Sequence, residues 1–403
     1  MAAQMFILNE IVELSVEEKD LLSLEDDEET PILAAVSTYM RRDLNRSEGF
    51  FENILPRYSL DEFKGHFRMT RASLEALCRE VQATGRVPQR HSYGRPPIPF
   101  EKQVLAFVWF IANSEVMRSV CDRFDVTLSS LNRIILRVSG ACVNLRNDYI
   151  KWPNSTLQIR LNGHFITHPV LYATGNEMNE IKGNFEAKGH PGFPGIIGVI
   201  DGTHIRIRAP TRQPDAYVNR KKFHSLVTQI VCDDNMIFRD ILVGWPGSVH
   251  DARVLRNSSL SATAATKFPG NTHLLGDGGY PLKSWLITPF RDNGRLNARQ
   301  KQFNTKLSAL RSVVERSICL LKGRWRKLLC LEHTDMAMLV HLIMSACVLH
   351  NFCLLNDDYD ENYFLDIDDG DDGAADNGVA VGHLGGGAFA AEAKRVHLMN
   401  IIC

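Results

Sequence analysis

The sequence predicts an α/β fold, a mixed sheet with helices packed against it, preceded by an all-α segment. Three observations carry that expectation. Residues 198–208 form a run of apolar and β-branched side chains of strand character. Two further runs, 224–232 and 236–245, flank Asp233-Asp234-Asn235, which reads as a hairpin turn and makes a three-strand meander. Beyond them, residues 304–322 carry Leu307, Leu310, Val314, Ile318 and Leu321 on one helical face, and 336–352 form a second apolar helix to close the core.

In chain order, residues 1–57 read as an acidic, partly disordered arm. Residues 1–30 hold ten acidic residues against Lys19 and end in the self-repelling run Glu25-Asp-Asp-Glu-Glu29. A helical segment follows at 58–150. Ser59-Leu-Asp-Glu62 has the capping-box pattern, 70–78 has helical spacing, and 100–111 is apolar on most sides. Residues 115–124 and a second helix capped by Thr127 resemble a helix-turn-helix, with Ser129, Ser130, Asn132 and Arg133 near the second helix's start and Arg137 one turn on. A helical hairpin that binds no DNA fits the same pattern. Residues 151–195 read as a boundary region with a Gly- and Pro-rich loop. The sheet domain covers 196–353, with a short helix after Asp251, a strand before Asp277 and another at 285–288. Residues 354–403 read as an acidic, Gly-rich disordered tail with a short amphipathic helix at 389–402.

The chain's net charge of −1 conceals a segregation. Residues 1–30 carry −9, residues 354–376 carry −10 and residues 377–403 carry +1, which leaves +17 on residues 31–353. Such a body suits a polyanion such as nucleic acid, and the acidic tail is expected to fold back on it. Nine cysteines occur without a CxxC pair, which speaks against zinc and against a disulfide framework. The N-terminus has no basic signal-peptide region, and the apolar stretches 104–112 and 339–349 are too short to span a bilayer. These features lead us to expect a soluble intracellular protein that makes no membrane contact.

The chemistry gathers on carboxylates. Asp201 interrupts an apolar strand, which costs free energy unless backbone donors or a cation compensate it. Asp277, in Leu274-Leu-Gly-Asp-Gly-Gly-Tyr280, and Glu315, on the long helix, are possible co-ligands. Hard oxygen donors without a His or Cys set favour Mg²⁺ or Mn²⁺. The plain alternatives are a turn for Asp201 and an i,i+4 pair with Arg311 for Glu315. Asp251 is either an N-cap or a fourth carboxylate at the metal. Arg311 and Arg316 are candidate phosphate contacts, and Tyr217-Val-Asn-Arg-Lys221 and residues 322–327 are basic with aromatic interleaving, which brings in Arg220 and Lys221.

Several blocks, in order, resemble the PIF/Harbinger superfamily of transposases. They are Gly198-Val-Ile-Asp-Gly-Thr-His-Ile205, Trp245-Pro-Gly-Ser-Val-His-Asp-Ala-Arg-Val-Leu255, Leu275-Gly-Asp-Gly-Gly-Tyr-Pro-Leu282, Val314-Glu-Arg-Ser317, Leu320-Leu-Lys-Gly-Arg-Trp-Arg-Lys-Leu328 and Ala346-Cys-Val-Leu-His-Asn-Phe352. The resemblance implies a ribonuclease-H-like fold with an Asp-Asp-Glu triad, on Asp201, Asp277 and Glu315, that binds divalent metal. It also makes Asp251 a further candidate ligand. It implies a metal-dependent DNA endonuclease of transposase origin, nuclear and also cytoplasmic, working with a Myb-like DNA-binding partner and open to oligomer formation. The alternative is a catalytically silent DNA-binding or adaptor protein.

Overall fold

The computed structural model describes residues 47–88, 97–153, 177–188, 192–364 and 386–403. The expectations for residues 1–46, for most of the 151–195 boundary region and for the acidic run 365–385 lie outside these residues. The sheet is mixed, with strand order β3-β2-β1-β4-β5. Strands β1 (Ile196–Arg206), β2 (Ser225–Cys232) and β3 (Phe238–Pro246) form the expected antiparallel meander. Strands β4 (His273–Leu275) and β5 (Leu286–Ile287) add in parallel on the other side of β1. This order is consistent with a ribonuclease-H-like fold. The β2–β3 turn forms because Asp233 Oδ1 accepts hydrogen bonds from the amides of Asn235 and Ile237, while its other oxygen pairs with Arg239.

Helices α1 (Leu60–Phe67), α2 (Arg71–Ala83), α3 (Phe100–Ala112), α4 (Met117–Arg123), α5 (Leu128–Asn144) and α6 (Arg146–Tyr149) precede the sheet. The local signals hold. Ser59 and Glu62 close the capping box on α1, and Thr127 accepts from the Ser130 amide at the start of α5. Helix α3 is buried nearly throughout, as an all-round apolar pattern requires. After α7 (Glu177–Lys188), the short helices α8 (Asp251–Arg256), α9 (Ser259–Ala262) and α10 (Ala264–Lys267) separate β3 from β4. Helix α11 (Ala298–Arg324) lies across β1 and β2, and α12 (Met336–Leu355) packs on α5, α6 and β3. Phe107, Leu131, Val199, Leu275, Val314 and Leu342 belong to one apolar cluster, so the helical segment and the sheet share a core.

Helix α12 extends beyond the apolar stretch seen in sequence. At 20 residues it is long and apolar enough to cross a bilayer, yet 78% of that stretch is buried inside the protein. There it carries two polar side chains with defined partners. Asn351 accepts from the Phe238 amide and donates to the carbonyls of Phe238 and Tyr149, each at 2.8–2.9 Å. The neighbouring His350 ring stacks on Phe238 and bonds the Met236 carbonyl.

Two expectations change here. In the tail, residues 355–364 are structured rather than disordered, whereas the short helix expected at 389–402 is present. Asp358 is buried, accepts from the Thr70 amide and pairs with the buried Arg324, and Asp360 pairs with Lys64. Helix α13 (Gly386–Ile402) seats Leu398, Met399 and Ile402 in the core beside α11, while Lys394 and Arg395 donate to carbonyls of residues 284 and 289. Average composition hid these few apolar anchors. The basic run 322–327 is likewise not a phosphate track in its buried members, because Lys322, Arg324 and Lys327 are each under 6% exposed. Arg324 donates to the Arg68 carbonyl, and Lys327 to that of Glu115.

Asn351→Ala would leave an amide and two carbonyls unpaired in the core. It should cost on the order of 2–4 kcal/mol of unfolding free energy, read from urea denaturation at pH 7. A loss below about 0.5 kcal/mol would mean that these backbone groups find other partners.

Candidate active site

The parallel pairing of β1 with β4 ends at Val199 opposite Leu275. Asp201 and Asp277 each lie two residues beyond that pair, so both emerge where neighbouring strands part. In β1 the side-chain period of two places Asp201 on the face of Val199, which packs with Val314 and Ile318 of α11. Asp277 itself lies in the turn after β4, and its Oδ1 accepts from the Gly279 amide at 3.1 Å. Asp201 Oδ1 accepts from the Gly202 amide at 2.8 Å.

The long helix brings Arg311 and Glu315 to the same place. Arg311 donates to Asp201 Oδ2 at 3.0 Å and lies 3.8 Å from Glu315. The i,i+4 pair envisaged from sequence therefore exists but is the looser contact, and the Glu315 side chain is 57% exposed. Asp251 occupies the first helical position of α8 and does not cap it, because His250 is the N-cap residue. Its carboxylate turns toward the sheet instead. A Cβ on Gly202 would overlap Asp251 Oδ1, and one on Gly279 would lie 3.5 Å from Asp251 Oδ2 and 3.3 Å from Asp277 Oδ1. Glycine at 202 is thus what lets a third aspartate approach the strand end.

The electrostatics follow from this crowding. Burial pushes the Asp201 carboxyl up to about 7. Arg311 and the Gly202 amide pull it down, whereas Asp277 and Glu315 push it further up. Tyr280, absent from the sequence-based set although it ends the Asp277 stretch, is buried beside the same groups. Its hydroxyl is raised well above the usual phenol value by burial, then by Asp251, Asp201 and Asp277, with Arg311 opposing.

The remaining candidates disperse. Arg220 is exposed and bonds His250 at 2.7 Å, next to Asp251, with the exposed Lys221 beside it. Arg316 turns to the Phe364 ring and lines a separate cavity of about 300 Å³ with Lys188 and Lys306. Arg133 is exposed and Arg137 half-buried on α5, an element that carries none of the carboxylates. Among the described residues, no three carboxylate, histidine or cysteine groups lie close enough together to hold a metal ion as they stand. The donor chemistry nonetheless fits a hard divalent cation. The oxygens are carboxylate, and burial raises Asp201 to about 7 despite the adjacent guanidinium, with Asp277 and Glu315 adding to the rise.

Comparison with known proteins bears on this geometry. Residues 200–351 match the family model of the DDE superfamily endonucleases, a span that contains all four carboxylates. The chain is 31% identical over 311 residues to "Putative nuclease HARBI1" of Mus musculus, covering 74% of this chain and 81% of that protein. The chain belongs to the Harbinger-derived DDE superfamily endonucleases. A second relative, the Arabidopsis thaliana protein named Antagonist of like heterochromatin protein 1, is 27% identical over 338 residues, 77% of this chain and 78% of its own length. "Putative nuclease HARBI1" of Xenopus laevis is 25% identical, over 75% of this chain and 82% of that protein. No solved structure matches the chain.

The raised Asp201 has a consequence for stability in the absence of metal. Between the unfolded carboxylate value of about 3.9 and the folded value, the folded state holds the extra proton. Stability is therefore lost as pH rises from about 4 through about 7, and the full cost is present above that. In EDTA, Asp201→Asn should unfold at higher urea than wild type at pH 8, with the difference shrinking toward pH 4. A difference independent of pH would show that Asp201 ionises freely in the folded protein.

Proposed function

We propose that the chain is a divalent-metal-dependent DNA endonuclease whose catalytic triad is Asp201, Asp277 and Glu315, with Asp251 as a further ligand. The observation that carries this reading is the placement of Asp201 and Asp277 two residues past the last β1–β4 pair, under the helix that bears Glu315. Membership of the DDE endonucleases supports the reaction class.

Mg²⁺ or Mn²⁺ would be held by these four carboxylates and would supply charge neutralisation and activation of the attacking oxygen for phosphodiester hydrolysis. The chain's own groups do the rest. Arg311, paired with Asp201 and one helical turn from Glu315, would be placed to contact a phosphate oxygen. The Gly202 and Gly279 amides fix the carboxylate rotamers through their bonds to Asp201 and Asp277. Arg220 and Lys221, exposed beside His250, and Arg133 and Arg137 on α5, are assigned to the DNA backbone, which rewards cations irrespective of sequence. In this reading a Myb-like partner supplies target choice, and the protein works in the nucleus.

A second reading, a DNA-binding or adaptor protein that does not cleave, is favoured by one contact, the Arg311–Asp201 pair, which neutralises the central aspartate without metal. Nicking of supercoiled plasmid separates the two. Wild type should nick in Mg²⁺ or Mn²⁺, and Asp277→Asn and Glu315→Gln should each lose roughly a hundredfold or more in rate while keeping DNA affinity. Equal nicking by wild type and Glu315→Gln in Mn²⁺ would remove the nuclease assignment.

A further inference from the structure

Tyr280 is 3% exposed, and its ring packs with Ile200, Leu255, Leu274 and Leu286 in the apolar cluster on the sheet face away from α11. Its hydroxyl has no hydrogen-bond partner among the described residues. That oxygen lies 3.7 Å from the point a Cβ on Gly202 would occupy, the same point that Asp251 Oδ1 crowds. The ring is thus anchored in one core, and its polar tip reaches the gap between strand ends where the carboxylates gather.

A buried donor that bonds nothing costs stability that almost any rearrangement or a Phe would recover. Three aspartates interact with this hydroxyl electrostatically, yet none accepts its hydrogen. A donor left open beside available acceptors suits a ligand oxygen that enters from outside. The choice of a phenol is also informative. A lysine or arginine here would be captured by the carboxylates, as Arg311 is by Asp201, whereas a neutral hydroxyl keeps its hydrogen free. Its ring is locked by packing, so little reorganisation is needed when the ligand arrives.

We propose that the Tyr280 hydroxyl donates a hydrogen bond to a non-bridging oxygen of the scissile phosphodiester, which makes it a further catalytic residue of this site. The proposal rests on the nuclease reading above and names a group that the triad does not include. Tyrosine hydroxyls are ordinary donors to nucleic-acid phosphates, and a preorganised donor at a charge-bearing oxygen acts mainly on the chemical step.

The test uses the full-length chain and three proteins: wild type, Tyr280→Phe and Asp277→Asn. Single-turnover cleavage of duplex DNA in Mn²⁺ is measured at saturating protein, and thermal unfolding is measured without DNA. Tyr280→Phe should cleave roughly 10- to 100-fold more slowly than wild type, and it should melt at the same temperature or higher because an unpaired buried oxygen is gone. Should Tyr280→Phe cleave within twofold of wild type while Asp277→Asn is silent, the hydroxyl is idle and the proposal fails with the nuclease reading intact. A Tyr280→Phe protein that melts several degrees lower would reveal a structural partner for the hydroxyl and overturn the proposal. If wild type cleaves no faster than Asp277→Asn, the nuclease reading itself fails, and the assignment of Tyr280 falls with it.

Discussion

Four carboxylates converge where the central strand leaves its parallel neighbour, and Arg311 answers them most directly. That imbalance is the constraint on which the rest of the site depends. Burial raises the Asp201 carboxyl to about 7 although it is ion-paired with Arg311, and the neighbouring Asp277 and Glu315 add to the rise. A fold does not keep such an arrangement for stability, since apolar side chains at the same positions would cost less. In the proposed reading a divalent cation would relieve this tension.

The surrounding architecture exists to hold that tension in place. Strand β1 is central, with β2 on one side and β4 on the other, so Asp201 cannot move away by fraying. The parallel β1–β4 ladder stops at Val199 and Leu275, two residues short of both aspartates. Helix α11 runs 27 residues across that opening, anchored by Val314 and Ile318 beneath and by a buried Arg324–Asp358 pair at its end. Tertiary clamps on α12 and α13 stiffen the frame. Asn351 ties α12 to β3 and to the end of α6, and Arg395 ties α13 to the carbonyls of residues 288 and 289.

Much of this was legible in the chain. The meander, its Asp233 turn, the capping box at Ser59 and the Thr127 cap follow from local rules that act within a few residues. Asp201, Asp277 and Glu315 stood out in the sequence as carboxylates on two strand ends and a helix, and the family pattern singled them out as a set, because nothing local links residues 76 and 38 positions apart. What could not be read is long-range. Composition made the acidic stretch after 354 look unfoldable, but Asp358 and Tyr363 find specific buried seats, and Leu398 and Ile402 on the expected C-terminal helix join the core. Residues 322–327 looked like a phosphate track because charge reveals nothing of burial. Tyr280 went unnoticed because a tyrosine after a Gly-rich turn has no signature until its hydroxyl is seen to lack a partner.

The proposed metal role of these carboxylates is open to direct measurement. Calorimetric titration of Mn²⁺ into EDTA-cleared wild type, followed by dialysis and repeated on Asp277→Asn, addresses it without any DNA. The account predicts saturable binding to wild type that weakens at least about tenfold in Asp277→Asn, with a larger rise in melting temperature for wild type at a given Mn²⁺ concentration. Wild type that takes up no Mn²⁺ at millimolar concentration, or binds it no better than Asp277→Asn, would contradict the account.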